Sequence, residues 1–387
     1  MSNKALTILA AVATVTTILA IILSGSANNT TTESIAPAYL IQGLDTAEIA
    51  QIIIKSGDNT TTLKRAGKNF YVVERENYPA EPKKVNDLLT KCLDIRISEL
   101  YTDNPKNHDS LDVSDANSHT TVKFLKSDSS LLAGFASGKN TQIGGGTYVR
   151  LLPGNNVYTA QKFPYINSSP DDYIRQQLLS LNKKDIQSVT IVSPSQQYTL
   201  KRKDPNSSTI VLEKLPADKE LKTSNAESVF TALTDLSFTD VLNASGSKAK
   251  NKKLKFDRKY ICRLKNSTVY TIAVSRADDK TYITCSAEFT GKVPLKANKV
   301  ESKEQLKKKE ATLLTRDNAE EFTQKHSLWI YEIADFKAKY LTRPLDELLK
   351  DKKVQKETEA QKKTNEKPAP KIDRKPGKKT EKKTEKK

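Results

Sequence analysis

The chain contains an internal repeat, and this repeat restricts its possible folds more than any other feature of the sequence. Residues 47–54 align without a gap with residues 184–191, and the sequence Thr-Leu-Lys-Arg at 62–65 recurs at the same spacing at 199–202. In both copies, alternating apolar residues flank a short turn, the pattern of a β-hairpin. The sequence therefore predicts two similar modules in tandem.

Each hairpin is followed by a predicted third strand, a helix and a meander of antiparallel strands. Both helices place apolar residues at the i, i+3, i+4 and i+7 positions of one face, namely Val85, Leu88, Leu89 and Cys92 in the first copy and Ala226, Val229, Phe230 and Leu233 in the second. We expect a further helix to close each module. Its apolar residues would lie at 173–181 in the first copy and at 345–349 in the second.

These patterns predict an α+β fold of two tandem repeated modules, each combining antiparallel strands with helices, after an N-terminal transmembrane helix. The first repeat covers residues 45–181. The second covers residues 182–350 and includes a polar insertion at 286–328, for which we expect a short helix. Residues 28–44 are predicted to be a linker. The Lys/Glu-rich tail at 351–387 is too polar to bury a core, so we expect it to be disordered.

The N-terminal segment of residues 5–23 carries no charged side chain. At about 1.5 Å per residue a helix of this length reaches roughly 28 Å, enough to cross a bilayer core. The positive-inside rule keeps Lys4 in the cytoplasm and places the bulk of the chain in the periplasm or outside, as a single-pass protein of the inner membrane. Residues 1–27 are predicted to be a membrane anchor or a cleaved signal segment, with a buried soluble helix as the third interpretation.

The cysteine content bounds the redox and metal chemistry of the protein. Only 3 Cys and 3 His occur in 387 residues, which argues against a structural zinc site and a disulfide-rich scaffold. Cys92 takes the helical position that Leu233 holds in the second copy. Cys262 and Cys285 fall on the first and third strands of a meander, about 9.6 Å apart, which is too far for a disulfide. We expect all three cysteines to be packing residues, with no metal and no cofactor.

Candidate catalytic residues are scarce. The glycines at 144–146 lead into a predicted strand and not into a helix, which favours a hairpin turn over a phosphate-binding loop. The histidines His108, His119 and His326 have no acidic partner at helical spacing and are expected to lie in solvated loops. We predict no catalytic residues and no enzymatic activity. The aromatic residues near the C-terminus are expected to pack beneath the last sheet, with a partner-docking face as the alternative: Trp329, Tyr331, Phe336 and Tyr340.

A dense run of basic residues precedes the second meander, in a chain whose net charge is +18. The run is a candidate anion-binding site, or alternatively a solvated loop; its members are Lys248, Lys250, Lys252, Lys253, Lys255, Arg258 and Lys259. Anionic lipid or an anionic envelope polymer would suit such a run. A nucleic acid is not expected as the partner, because no aromatic residue for base stacking lies between the lysines and the segment is predicted to be exported.

Several short motifs resemble a known family in their order and spacing. After the N-terminal apolar segment and the hairpin, the motifs are Tyr78-Pro79-Ala80, Asn104-Pro105, Leu111-Asp112-Val113, Gly146-Thr147-Tyr148-Val149-Arg150 and Trp329-Ile330-Tyr331. In this order they resemble the bacterial family called domain of unknown function 4340. The Lys/Glu tail and the insertion depart from the family pattern.

The resemblance implies an envelope protein with a membrane anchor and tandem α+β modules. It also implies association with subunits of ABC-type export systems, and it supplies no catalytic residues. We therefore expect a non-catalytic envelope binding or scaffold protein, as an accessory subunit of an ABC-type transporter. The alternative is an enzyme or binder that acts on an anionic envelope polymer.

Overall fold

Two large antiparallel β-sheets make up most of the protein, together with five α-helices in the part of the chain that the structure covers. The structure is a computed structural model that describes residues 38–142, 144–205, 207–292 and 302–352. It confirms a mixed α+β fold with mostly antiparallel strands. Among these residues, no helix combines the length and the apolar character needed to cross a membrane. The predicted span at residues 5–23 and the tail beyond 352 lie outside them.

The first sheet has ten strands. They are β1 (Ala38–Tyr39), β2 (Gln51–Ser56), β3 (Asn59–Ala66), β4 (Asn69–Val72), β5 (Tyr78–Pro79), β6 (Arg96–Thr102), β7 (Thr120–Leu125), β8 (Leu131–Asn140), β9 (Gly146–Leu152) and β10 (Val157–Gln161). Their order across the sheet is β1-β6-β10-β9-β8-β7-β2-β3-β4-β5. Ile52 and Ile54 on β2 are fully buried, which fixes the face that this central strand turns to the core.

The second sheet has eight strands. They are β12 (Ile186–Ser193), β13 (Gln196–Arg202), β14 (Ile210–Leu212), β17 (Asp240–Asn243), β18 (Arg258–Leu264), β19 (Thr268–Ala277), β20 (Lys280–Phe289) and β21 (Trp329–Ile333). Their order is β14-β13-β12-β18-β19-β20-β21-β17. Two short ribbons complete the strands, one of β11 (Gln177–Leu179) with β16 (Leu236–Ser237) and one of β15 (Lys219–Leu221) with β22 (Leu349–Asp351).

The helices are α1 (Pro82–Leu93), α2 (Thr223–Phe230), α3 (Ser247–Asn251), α4 (Lys303–His326) and α5 (Asp335–Thr342). Helix α1 begins with Pro82 at its first position, where a missing amide proton costs nothing. It buries Val85, Leu88 and Cys92, as the apolar spacing predicts. Helix α4 begins at a capping box formed by Ser302 and Gln305.

The residues aligned by the sequence repeat have the same pairing in the two sheets. Ile52 on β2 lies opposite Leu63 on β3, and the aligned Val189 on β12 lies opposite Leu200 on β13. Both sheets then continue in matching order, as β9-β8-β7-β2-β3-β4 in one and β20-β19-β18-β12-β13-β14 in the other. The strands and the hairpin register were therefore predictable from the alternation of apolar residues.

The predicted closing helices were wrong. Residues 170–173 form a single 3₁₀ turn, after which Ile174 is extended and Gln177–Leu179 pair with β16. In the second copy a 3₁₀ turn at Asp346–Leu348 leads into β22. The reason is tertiary: a neighbouring short strand supplies main-chain hydrogen-bond partners to each segment, so extended backbone is satisfied without a helix.

The predicted insertion also differs from the structure. Strand β20 runs on to Phe289, past the expected start of the insertion at 286, and the helix that follows is 24 residues long and not short. Only Ala319 and His326 of this helix are buried, and the rest of its surface is largely polar. The sequence therefore has little amphipathic periodicity from which the length of the helix could be predicted.

The two sheets share one hydrophobic core. A continuous cluster of buried apolar side chains runs from Ile52 and Leu63 in the first sheet to Tyr260 and Tyr331 in the second. Cys92, Cys262 and Cys285 are buried and unpaired in this core, with β19 between the strands of the last two, as predicted. Trp329 and Tyr331 are also buried as predicted, but Phe336 is exposed.

Candidate functional site

A cleft of about 570 Å³ lies on the second sheet, between the loop that precedes β18, the facing ends of β19 and β20, and helix α5. Basic side chains from the loop, the first residue of β18, β19 and α5 line it, and we call it the basic cleft. The basic residues are Lys253, Lys255, Arg258, Arg276 and Lys339, and the acidic ones are Asp257 and Asp335. Ser275 and Thr281, both buried hydroxyl residues, lie at its floor.

The local sequence explains why the lysines of the loop point into the cleft. Lys253 has a left-handed backbone, with φ of 48°, and ends the turn that follows α3. Leu254 and Phe256 pack against a small apolar cluster, so the alternating residues Lys253 and Lys255 are turned to the solvent side. The backbone N–H of Lys255 donates to Ser275 Oγ at 3.0 Å, which fixes the loop against β19.

The structure divides the basic run that the sequence singled out. Lys253, Lys255 and Arg258 line the basic cleft. Lys248 and Lys252 lie at a different depression, where they form ion pairs with Glu76 and Asp278, both with an N–O distance of 3.2 Å. Lys250 and Lys259 are exposed and line neither depression.

Sequence reasoning missed two basic residues of the cleft. Arg276 comes from β19 and Lys339 from α5, far along the chain from the run at 248–259. Neither residue stands in a basic cluster of its own, and only the packing of α5 beside β18 brings Lys339 near the loop. A linear search for runs of charge finds local runs and cannot find such a grouping.

The basic cleft has an excess of positive charge. Within the described residues, none of its five basic side chains lies within ion-pair distance of a carboxylate, whereas Lys248, Lys252 and Lys280 nearby are all paired. Five unpaired cations and two carboxylates leave a positive potential that attracts anions. The two guanidinium groups, on Arg258 and Arg276, can each offer paired N–H donors to a phosphate or carboxylate.

Neither the cysteines nor the glycine-rich turn supplies a reactive group. Burial raises the pKa of the Cys92 and Cys262 thiols to about 12 and also raises that of Cys285, so all three stay protonated at neutral pH. Gly144 and Gly145 have positive φ in the turn between β8 and β9, which confirms the predicted hairpin. No group of three or more His, Cys, Asp or Glu residues within the described ranges could hold a metal ion.

The histidines do not all lie in solvated loops, and the expectation was wrong for two of them. His119 is exposed beside Asp112. His108 is buried, and its Nε2 lies 2.9 Å from the carbonyl oxygen of Asn155. His326 is also buried, at the end of α4, with Nδ1 2.6 Å from the hydroxyl of Tyr331. The apolar surroundings that α4 brings to His326 are not visible in the local sequence.

The fold and the cleft define the protein first by class: a mixed α+β protein built on two antiparallel sheets, with a basic cleft on the second. Residues 71–259 match the family model described as a domain of unknown function (DUF4340). This match confirms the resemblance drawn from the motifs over about half of the chain. No curated protein and no solved structure matches the chain.

The matched segment begins within β4 and ends within the first residues of β18. It therefore includes Lys253, Lys255 and Arg258 of the basic cleft. Arg276, Lys339 and the whole of α4 lie after it.

His326 gives a testable pH dependence of stability. Burial, with a smaller effect of Lys325, lowers the pKa of His326 to about 4. An unfolded histidine takes up its proton near pH 6.5, so the contribution of neutral His326 is present above that pH and is lost as the pH falls toward 4. Between pH 7 and pH 5, the free energy of unfolding should fall by about 2 kcal/mol more in the wild type than in His326→Gln. Urea titrations at both pH values measure this difference.

The matched control is His119→Gln, which removes an exposed histidine and should keep the wild-type dependence on pH. If His326→Gln kept the wild-type dependence as well, His326 would not be buried in its neutral form.

Proposed function

We propose that the protein is a non-catalytic binding and scaffold protein of the cell envelope, held at the membrane by residues 5–23, whose basic cleft binds an anionic envelope polymer. One observation carries the proposal: five basic side chains from a loop, two strands and a helix converge on one cleft without ion-pair partners in the described part of the chain. Such a group of like charges is destabilising in itself unless an anion neutralises it.

The composition of the cleft suits binding better than catalysis. The described residues that line the basic cleft include no histidine, the most frequent general base, and no cysteine, which would be a thiol nucleophile. Its basic groups are exposed lysines and arginines, which attract phosphate and carboxylate groups through contacts that salt screens. A polymer that carries many such groups can engage several of these side chains at once.

We infer that the two sheets are tandem repeats of one unit. The shared strand order and the equivalent pairs Ile52 with Leu63 and Val189 with Leu200 support this inference. Trp329-Ile330-Tyr331 on β21 then corresponds to the β10 position in the first sheet, since each strand follows the equivalent of β9. Helix α4 is inserted between β20 and β21 and belongs to the second unit alone.

A second candidate function is that of accessory subunit to an ABC-type transporter. The observation that favours it is the surface of α4, where Leu306, Leu313 and Leu314 are 40–59% exposed on an otherwise charged helix. Exposed leucines on the surface of a helix suit contact with another protein. The family resemblance supplies the identity of the partner.

The anion-binding proposal predicts a salt-dependent affinity that depends on two residues from different elements. The double variant Lys255→Gln/Arg276→Gln should bind fluorescently labelled inorganic polyphosphate about tenfold more weakly than the wild type at low salt, because each lost cation contributes up to about 1 kcal/mol. Fluorescence anisotropy at 50 and 300 mM salt measures both the affinity and its salt dependence.

The matched control is Lys250→Gln/Lys259→Gln, which removes the same charge from the same basic run but outside the cleft. Its affinity should stay within about twofold of the wild type. If both double variants lost the same amount of affinity for polyphosphate, the binding site would not be the basic cleft. Binding to anionic lipid vesicles without binding to polyphosphate would show that the partner is a membrane and not a polymer.

The accessory-subunit proposal predicts contacts that are specific to one face of α4. A photo-cross-linking amino acid at position 313, placed in the full chain in intact cells, should give an adduct with a permease or ATPase subunit of an ABC transporter. The same group at position 308, on the opposite side of the helix, should not. Equal yields at both positions, or adducts without such a subunit, would refute a docking role for the leucine surface.

A further inference from the structure

A second cavity, of about 520 Å³, lies where the two sheets meet. Its walls come from the segment that joins β5 to α1, from β11, from the last turns of α4 and from the start of β21. We call it the junction cavity. It is separate from the basic cleft, since the two share no lining residue.

The inner wall of the junction cavity is largely apolar. Tyr78, Phe322 and Trp329 contribute aromatic rings, and Leu178 and Leu179 contribute aliphatic side chains. Trp329 and Tyr78 contact each other edge to face, with ring centroids 4.9 Å apart. A ligand that covers these apolar side chains removes them from water, which stabilises its binding.

The rim of the junction cavity is cationic. Lys83, Arg175 and Lys325 lie there, and none of them forms an ion pair within the described part of the chain. Of the two rim carboxylates, Glu81 lies 3.9 Å from Lys84 and is partly neutralised, which leaves Glu321. Three unpaired cations against one free carboxylate favour an anionic group at the mouth of the cavity.

One of the side chains that line the junction cavity is a buried polar group. His326 lines the cavity and is only 5% exposed. Its Nδ1 is engaged by the hydroxyl of Tyr331, and Nε2 has no hydrogen-bond partner among the described residues. When the Tyr331 hydroxyl donates to Nδ1, Nε2 carries the ring proton and can donate it to a ligand in the cavity.

We propose that the junction cavity binds an amphiphilic anion, a single apolar chain that carries a carboxylate or phosphate head group. The apolar chain lies against Phe322 and Trp329, and the head group is held by Lys83, Arg175 and Lys325 at the rim. The volume falls within the roughly 300–1,000 Å³ of known small-ligand pockets. Because α4 supplies Phe322, Lys325 and His326 and lies outside the segment matched to the family, this site is a feature of the inserted helix.

The chain contains a single tryptophan, and it lines this cavity, so intrinsic fluorescence reports on the site directly. Dodecanoate, added to the full chain below its micelle concentration, should change the emission of Trp329 in a saturable way. Dodecyltrimethylammonium has the same chain length with a cationic head and should bind at least about tenfold more weakly. Inorganic phosphate alone should leave the emission unchanged.

The double variant Arg175→Gln/Lys325→Gln should bind dodecanoate about tenfold more weakly while its unliganded emission stays that of the wild type. The control Lys339→Gln, in the basic cleft, should bind as the wild type does, which separates failure of this site from failure of the anionic-polymer proposal. Repeating the titration with anionic phospholipid vesicles distinguishes a membrane lipid from a free fatty acid as the source of the chain.

No saturable change with dodecanoate would overturn the proposal. Equal binding of the cationic amphiphile, or an unchanged affinity in the double variant, would overturn the role of the cationic rim. A response to phosphate alone would show an anion site that has no apolar requirement.

Discussion

The insertion of Tyr78 between the two sheets is the contact on which the rest of the structure depends. Tyr78 belongs to β5 at the edge of the first sheet, and its ring lies edge to face against Phe238, Trp329 and Tyr331 of the second unit, at centroid distances of 5.5, 4.9 and 6.2 Å. Each such pair contributes about 0.5–1.5 kcal/mol beyond the burial of apolar area. The chain reaches this position because Glu76 and Asn77, just before it, both adopt the left-handed backbone conformation.

Polar contacts also fix the segment before Tyr78, some to the second unit and one to the turn at residues 170–173. Glu76 accepts the backbone N–H of Asn243 at 2.8 Å and lies 3.2 Å from Lys248. Arg75 binds Asp171 with two parallel hydrogen bonds of 2.7 and 2.8 Å and also lies 3.5 Å from Asp240. Arg75, Asp171 and Glu76 are partly buried, so the loss of a partner would leave their charges without compensation. The family match spans this segment and most of the surfaces that it contacts.

The contact between the two sheets also determines where the junction cavity lies. Tyr78 contacts both Trp329 and Tyr331, and Tyr331 also contacts His326 at the end of α4. These contacts place the end of α4 beside the two sheets, where it lines the junction cavity. The basic cleft lies elsewhere on the second sheet, where α5 packs across the strand ends. One fold thus carries a cationic surface for polymeric anions and a smaller, partly apolar cavity.

Periodicity in the sequence was sufficient to predict the strands of both meanders, the face of α1 and the pairing of the repeated hairpins, because all three depend on which residues must be buried locally. It failed at residues 173–181, where leucines at helical spacing form a strand because β16 offers a partner. It also failed to group Arg276 and Lys339 with the basic loop, since only the packing of distant elements brings them together. Tyr78 appeared in a family motif, but its role requires knowledge of the second sheet.

The central claim is that the two sheets share one core and behave as a single cooperative unit. Pulsed alkylation of thiols across a urea series, followed by peptide mapping, tests it directly, because Cys92 lies in the first unit and Cys262 and Cys285 lie in the second, all buried. The account predicts that the three cysteines become reactive at the same urea concentration. Reaction of Cys92 at a clearly lower or higher concentration than the other two would show that the units unfold independently and would contradict the claim.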